Sequence, residues 1–182
     1  MARVKYVSAA DAVGDARTVF AKWEQEGRDP INLHRIVANS PNALRNFLRL
    51  GNSLLLYGQL APRLRELAIL RIAQMMGADY EWVHHVPIAQ GAGVDQGEIS
   101  HLDDWRYRPE FDDREKAVIR YTEAVTRDVE VPDEVFDGLR KHLSEPEIVE
   151  LTLVCGYWGM VARLIVALKI DIEPDFQRFL SD

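Results

Sequence analysis

Apolar residues recur at intervals of three and four along nearly the whole chain, and no segment alternates cleanly with a period of two. Such spacing is typical of amphipathic helices that turn one face towards a core. Residues 9–26 show it well, because their apolar side chains fall on one helical face. These side chains are Val13, Ala16, Val19, Phe20 and Trp23. We therefore predict a first helix over 9–26, stopped by the Gly-Arg-Asp-Pro group at 27–30.

Turn residues and helix-start signals divide the rest of the chain. Ser40 before Pro41 is typical of an N-cap and first helical position, and Ser144 with Glu147 indicates the start of a long helix. The further predicted helices are 32–38, 41–57, 62–76, 79 to 91 or 93, 96–102, 113–127, one beginning at 131–133, and one from the Ser144 start signal to about 169. We interpret 103–112 as a connecting loop and 171–182 as a surface tail. The pattern predicts an all-α, single-domain helical bundle.

Length and composition argue against several classes of function. The chain has 182 residues, enough for one domain with a sizeable core, and 22 basic against 29 acidic side chains give a net charge of −7. No basic stripe is present, which argues against a nucleic-acid partner. Cys155 is the single cysteine, so an intrachain disulfide and a thiolate metal cluster are excluded. The N-terminus has no uninterrupted apolar stretch typical of a secretory signal, and we expect a cytoplasmic protein.

One segment, 151–168, is apolar enough to raise the question of a membrane span. Gly156, Gly159 and Arg163 interrupt it, and an arginine inside hydrocarbon is costly. We therefore interpret it as a buried core helix and expect no membrane partner. Cys155 within it is predicted to be inert core.

Glu81 and His85 offer the clearest acid–base chemistry in the sequence. They lie four residues apart on one predicted helix, so their side chains share a face. A carboxylate beside an imidazole can orient the ring and raise its basicity, as a general base near neutral pH requires. An ordinary surface pair has the same spacing. His84 could equally be the functional ring.

Glu66 is a further candidate, because it lies on an otherwise strongly apolar helix. If it points inward, burial would raise its pKa and make it a proton relay; if not, it forms a solvated ion-pair face with Arg63, Arg65 and Arg71. The sequence lacks the paired histidines of a zinc protease helix, and adjacent histidines diverge on a helix, so no metal site is predicted. No glycine-rich phosphate loop or serine elbow is recognisable.

The stretch 60–99 contains the pattern LxxRxRELAILRxA…GxxYEWxxHVPIAxxAGVxxxEI, which resembles the carboxymuconolactone decarboxylase family within the AhpD-like superfamily. The similarity extends over roughly 30–172. It implies an AhpD-like helical bundle with a core at 41–172, an N-terminal helical extension at 1–40 and a C-terminal tail at 173–182. It also implies a homo-oligomer.

The two branches of the superfamily imply different chemistry. The peroxidase branch has a C-x-x-C pair ahead of its histidine, and alignment of that histidine with His85 puts the cysteine positions at Ala78 and Glu81. Thiol-based peroxide reduction is therefore not expected. The decarboxylase branch implies loss of CO2 from a carboxylated lactone or similar small organic acid without a cofactor. His85 would then transfer the proton, with Glu81 as its orienting partner or co-catalyst and Glu66 as a relay.

The same resemblance implies a binding pocket around this helix. Its expected lining residues are Tyr80, Trp82, His84 and Ile88, although the residue types favour a core position for Tyr80, Trp82 and Ile88. Two other functions stay open at this point. One is a peroxidase-type oxidoreductase, which the missing cysteines argue against. The other is a non-catalytic oligomeric binding module.

Overall fold

The computed structural model describes residues 1–180, which fold into nine α-helices and two 3-10 helices with no β-strand in that range. The α-helices are α1 (Gly14–Gln25), α2 (Asn32–Val37), α3 (Pro41–Leu56), α4 (Pro62–Met76), α5 (Asp79–Gly91), α6 (Gln96–Ser100), α7 (Asp113–Asp128), α8 (Asp133–Arg140) and α9 (Glu145–Leu168). The 3-10 helices are Trp105–Tyr107 and Pro174–Phe179. The predicted all-α, single-domain bundle is confirmed.

Helix α4 is the centre of the bundle. Nine of its fifteen residues are buried, from Leu64 to Ala73 with the exception of Arg71. It packs against α5, α7 and α9 at once, which explains why apolar residues surround most of its circumference. Pro62 occupies its first turn, where a missing N–H costs nothing. Gly77 ends it in the left-handed conformation, at a φ of 61°.

Helix α5 follows after two residues, Gly77 and Ala78, and carries the predicted acid–base pair. The left-handed Gly77 lets the chain reverse so that α5 packs back along α4. The helix continues through Pro87 to Gly91, within the end range predicted from the sequence. Pro87 lacks an amide proton, so one backbone hydrogen bond is lost in the turn after His85.

Three helix starts are fixed by reciprocal side-chain and backbone hydrogen bonds. They form at Asp95 with Glu98, at Asp112 with Glu115, and at Ser144 with Glu147. In each pair the first residue caps the helix and the second reaches back to its N–H. The sequence indicated the pair at Ser144 correctly.

The N-terminal segment forms a small apolar cluster of its own. Helix α1 packs against α3, and the buried members of the cluster are Ala12, Ala16, Phe20, Ala38 and Leu44. The first helix begins at Gly14 rather than at residue 9, because 8–12 form a turn in which Ser8 accepts the amide protons of Asp11 and Ala12. The division between an extension at 1–40 and a core at 41–172 stays a prediction.

The segment 103–112 is more ordered than the predicted connecting loop. Trp105 is buried within it, and its Nε1–H donates to Glu123 Oε1 at 2.9 Å. Arg71 and Arg106 also bind the Glu123 carboxylate. A buried carboxylate thereby anchors the loop to α7, a contact between distant residues that local sequence patterns do not reveal.

The long helix α9 is a core helix, as expected. Its residues 145–168 are long and apolar enough to cross a membrane by length and composition, with a mean hydropathy of 1.8 in the most apolar window. Half of that window is buried against the rest of the bundle, chiefly α4 and α7. The chain then turns back and lays the 3-10 helix Pro174–Phe179 across α5. Residues 181 and 182 of the predicted tail lie outside the described residues.

The central position of α4 predicts an unequal response to two leucine truncations. Leu67 is fully buried on α4, whereas Leu56 at the end of α3 is 66% exposed. We expect Leu67→Ala to lower the free energy of unfolding by about 2–5 kcal/mol through lost burial and a residual cavity. Leu56→Ala, the matched control, should change it by less than about 0.5 kcal/mol. Equal urea midpoints for the two variants would contradict this packing.

Candidate active site

A cavity of about 400 Å³ lies between α3, α5 and α9, with α2 and the C-terminal 3-10 helix closing its edges. Its volume is within the range of small-molecule sites. Most of its walls are apolar or aromatic. The lining residues are Ile31, Leu33, His34, Phe47, Leu48, Gly51, Asn52, Leu55, Tyr80, Glu81, His84, His85, Pro87, Ile88, Tyr157, Trp158, Val161, Ile165 and Phe176.

His85 is held at this cavity by two hydrogen bonds, one on each ring nitrogen. Nδ1 lies 2.8 Å from Glu66 Oε2, and Nε2 lies 2.9 Å from Trp158 Nε1. An indole N–H only donates, so Nε2 must be the acceptor. The proton therefore resides on Nδ1, which donates to the Glu66 carboxylate. His85 is a neutral ring with one fixed tautomer.

Glu66 is the partner that orients His85, and Glu81 is not. From the sequence we expected Glu81 as the orienting partner or a co-catalyst and Glu66 as a relay, because the spacing on α5 favours a pair of Glu81 and His85. Glu66 is completely buried, and its second oxygen accepts from Arg65 Nε at 3.0 Å. Arg65 is itself buried, so the pair is compensated in a dry environment. The alternative of a solvated ion-pair face on Glu66 is wrong.

Glu81 has an unusual environment for a carboxyl group. It lines the cavity, is 2% exposed, and neither carboxyl oxygen has a hydrogen-bond partner among the described residues. Burial without a compensating charge raises the pKa of Glu81 well above its usual value. The group is therefore a neutral acid at pH values where an exposed glutamate is ionised. It can donate a hydrogen bond from its O–H and accept a hydrogen bond at its carbonyl oxygen.

Tyr80 and His84 also line the cavity, as predicted, and both are bound by Glu173. Tyr80 donates from its hydroxyl to Glu173 Oε1 at 2.8 Å, and His84 Nε2 lies 2.9 Å from Glu173 Oε2. Burial alone would raise the pKa of Glu173, but the bonds from His84, the Asn32 amide and Tyr80 lower it to about 2. This carboxylate fixes the C-terminal segment on α5.

Phe176 completes that wall, because its ring stacks on His84 with 3.9 Å between centroids. Ile88 lies at the cavity's edge and is 43% exposed. Trp82 was expected in the pocket and is elsewhere. Its side chain packs between two apolar clusters on the other face of α5 and is not among the lining residues. A side chain one position after Glu81 points about 100° away around the helix, which is the physical reason.

Several lining residues were not singled out from the sequence. His34 on α2 is one, and its pKa is lowered to about 4, first by burial and then by the neighbouring His84. Trp158 and Tyr157 on α9 are two others. Tyr157 lies so close to Gly51 that a β-carbon there would be 2.5 Å from the tyrosine oxygen. Gly51 thus leaves room for the Tyr157 ring where α3 and α9 approach at the cavity.

Cys155 is the buried core residue that the sequence predicted. Burial raises the pKa of its thiol to about 12, so it carries no thiolate near neutral pH. Within residues 1–180, no three His, Cys, Asp or Glu side chains are grouped so that they could hold a metal ion.

Comparisons with known proteins show which family the sequence resembles. The family model described as the carboxymuconolactone decarboxylase family matches residues 41–124. Among curated proteins, the uncharacterized protein YdfG of Bacillus subtilis (strain 168) is 28% identical over 106 residues, which are 57% of this chain and 72% of the relative. The matched region of the family model includes Glu66, Glu81 and His85.

Solved structures share the fold over nearly the whole chain. A peroxidase-related protein from Ralstonia eutropha JMP134, described as an alkylhydroperoxidase AhpD core, superposes with a TM-score of 0.82 at 18% identity, covering 96% of this chain and 94% of the other. The debrominase Bmp8 superposes with a TM-score of 0.79 at 19% identity, covering 97% and 95%. With the helical motif at 60–99 and the family-model match at 41–124, the shared fold makes the chain similar to proteins of the AhpD-like superfamily, which includes the carboxymuconolactone decarboxylase family.

Proposed function

We propose that the protein is an enzyme that transfers a proton on a small organic molecule held in the cavity, with Glu81 as the acid and His85 as the base. One observation carries the proposal: an unpaired, buried carboxyl group and an oriented imidazole line the same cavity. Pairs of titratable groups in contrasting environments are typical of acid–base sites. The two groups have distinct roles. Glu66 is bound to His85 and can stabilise a positive charge on that ring, whereas Glu81 has no such partner and stays protonated.

The acid step follows from the neutral state of Glu81. Its O–H donates to a carbonyl oxygen of the substrate, or to a carbon that has become a carbanion, and the resulting carboxylate regains a proton from water. In a cavity of low polarity such a donor is not weakened by competing water. Apolar walls also exclude water from the reacting group.

The base step requires a movement of Trp158. The lone pair of His85 Nε2 is occupied by the indole N–H at 2.9 Å, so a substrate proton reaches that nitrogen only after this bond opens. Once Nε2 is protonated, the ring is positively charged and Glu66, bound at Nδ1, stabilises it. Glu66 and Trp158 are therefore positioning residues.

Decarboxylation of a carboxylated lactone is the specific reaction that the family resemblance suggests. The bond from carbon to the carboxylate breaks, CO2 leaves, and the electron pair is delocalised into the lactone before Glu81 delivers a proton to carbon. Poor solvation of the substrate carboxylate in the apolar cavity would favour its loss. Peroxide reduction by thiols receives no support, since Ala78 and Glu81 occupy the cysteine positions and Cys155 is buried. The homo-oligomer and the cytoplasmic location stay predictions.

Substitution of the acid and the base should abolish turnover. The assay panel contains a carboxylated unsaturated lactone, followed by CO2 release, and neutral ketones and lactones, followed by deuterium incorporation from D2O by NMR. We expect Glu81→Gln and His85→Gln each to lower kcat/KM by about 10²-fold or more, the usual contribution of acid–base catalysis. His101→Gln, at a histidine that pairs with Glu110 on the surface, is the control and should retain activity. Full activity in either site variant contradicts the proposal, and no turnover of any compound favours a non-catalytic binding module.

The state of Glu81 predicts a specific pH dependence of stability. Its pKa is raised in the folded protein above the value of 4.5, so the folded state retains a proton that the unfolded chain releases. The stabilisation linked to that proton is complete below pH 4.5 and is lost as pH rises through the folded-state pKa. Glu81→Gln, which has no such proton, should therefore gain stability relative to the wild type as pH rises, by up to about 1.4 kcal/mol per unit.

Urea unfolding of both proteins between about pH 5 and 8 measures this difference. His34 and Glu173 titrate alike in the two proteins, so their contributions cancel. The exposed residue Glu134 provides the control, and Glu134→Gln should show no pH-dependent difference from the wild type. A difference between Glu81→Gln and the wild type that is independent of pH would exclude a neutral Glu81.

The hydrogen bonds of His85 predict its tautomer. Because Trp158 donates to Nε2, the ring proton should be on Nδ1. Long-range ¹H–¹⁵N NMR distinguishes a protonated from an unprotonated ring nitrogen, and Trp158→Phe removes the donor while it preserves most of the aromatic volume. We expect a resonance of unprotonated Nε2 in the wild type that shifts in Trp158→Phe. A protonated Nε2 in the wild type would contradict the assignment.

A further inference from the structure

The described lining of the cavity contains no lysine or arginine side chain. The buried Arg65 donates from Nε to Glu66, and Arg28 near His34 is paired with Glu26 on the surface. An anion in the cavity would therefore lose its hydration without gaining a cation, which is a large cost. The carboxylate of Glu173, whose pKa is lowered to about 2, is bound to the lining residues Tyr80 and His84 and adds no positive charge.

The histidines of the lining do not supply the missing positive charge. His34 is neutral near pH 7, because burial lowers its pKa to about 4. His84 already contacts Glu173, and His85 accepts from Trp158 and is neutral. Because any charge on His84 is offset by Glu173, the lining offers an anion no uncompensated positive charge.

The walls favour a flat ligand. Five aromatic side chains surround the space, and they are Phe47, Tyr80, Tyr157, Trp158 and Phe176. Several are fixed by contacts with one another, such as the Phe47 and Tyr157 rings at 5.2 Å and the Tyr157 and Trp158 rings at 4.8 Å. Aromatic faces and edges bind planar unsaturated molecules by stacking and edge contacts.

One polar group in the lining has unused hydrogen-bonding capacity. Of the buried side-chain atoms without a partner among the described residues, only the two oxygens of Glu81 belong to the cavity. A neutral carboxyl group offers an O–H donor, and the matching group on a ligand is a carbonyl oxygen.

We propose that the cavity binds an uncharged, planar carbonyl compound, an aromatic or conjugated lactone, ketone or aldehyde, whose oxygen accepts a hydrogen bond from Glu81. This inference rests on the proposed function and narrows its substrate class. It favours proton transfer on a neutral carbonyl compound over decarboxylation of a carboxylate.

A matched pair of probes tests the charge requirement. Coumarin is a neutral, planar lactone, and coumarin-3-carboxylate is the same scaffold with one anionic group. Isothermal titration calorimetry of the wild-type protein should give a Kd for coumarin at least tenfold lower than for the carboxylate. Equal or tighter binding of the carboxylate overturns the inference, and so does the absence of coumarin binding at millimolar concentration.

A cation introduced at the cavity should reverse the preference. Asn52 is an exposed lining residue, and Asn52→Arg adds a positive charge there without changing the core. We expect this variant to bind coumarin-3-carboxylate at least fivefold more tightly than the wild type, with little change for coumarin. Asn46→Arg on the same helix lies outside the cavity lining and is the control. If both arginine variants gain equally, general surface charge and not the cavity governs binding of the anion.

Glu81→Leu tests the hydrogen bond. Removal of the donor should weaken coumarin binding by about three- to tenfold, while the thermal unfolding midpoint does not fall, because the lost group has no partner. Unchanged coumarin affinity contradicts the contact with Glu81.

These binding results are independent of turnover. Preference for the anionic probe would refute the substrate class and leave acid–base catalysis intact. Active Glu81→Gln and His85→Gln enzymes would refute catalysis and leave the binding result standing.

Discussion

Glu66 is completely buried on α4, the central helix of the bundle, and each of its carboxyl oxygens has one hydrogen-bond partner. Arg65 satisfies one oxygen from the same helix, and His85 on α5 satisfies the other. Removal of either partner would leave a buried charge, which is far more costly than loss of a surface pair. The packing of α4 against α5 is therefore tied to one ring nitrogen of His85. The second ring nitrogen is tied to α9 through Trp158, so three helices meet at a single imidazole.

The fold was readable from the sequence to a large extent, because its signals are local. Helix periodicity, the Ser144 start signal and Gly77 at a helix end each depend on a few neighbouring residues. The errors have two causes, a distant contact in one case and an unrecognised local turn in the other. Trp105 is ordered by Glu123 on another helix, and the start of α1 is set by a turn at Ser8 rather than by the apolar pattern.

The site shows the same division between local and distant information. The sequence indicated Glu66, Glu81 and His85, and the structure brings all three to one region. Their pairing could not be inferred, since spacing of four residues on α5 favours Glu81 as the partner of His85, while the actual partner is on α4. Glu173 and Phe176 are about ninety residues from His84, and no short-range pattern connects them. Trp82 and Glu81 are adjacent in sequence but face different surroundings, because one helical step rotates a side chain by about 100°.

The contrast between the two buried glutamates is the strongest argument that this cavity has a function. Glu66 has a guanidinium and an imidazole, so its burial is compatible with a purely structural role. Glu81 has neither, and burial of an unpaired polar group costs of the order of 1–3 kcal/mol that a leucine at the same position would avoid. Packing alone therefore does not account for a glutamate there. Such a destabilising group at the wall of a cavity is typical of active sites, where stability is lost in favour of reactivity.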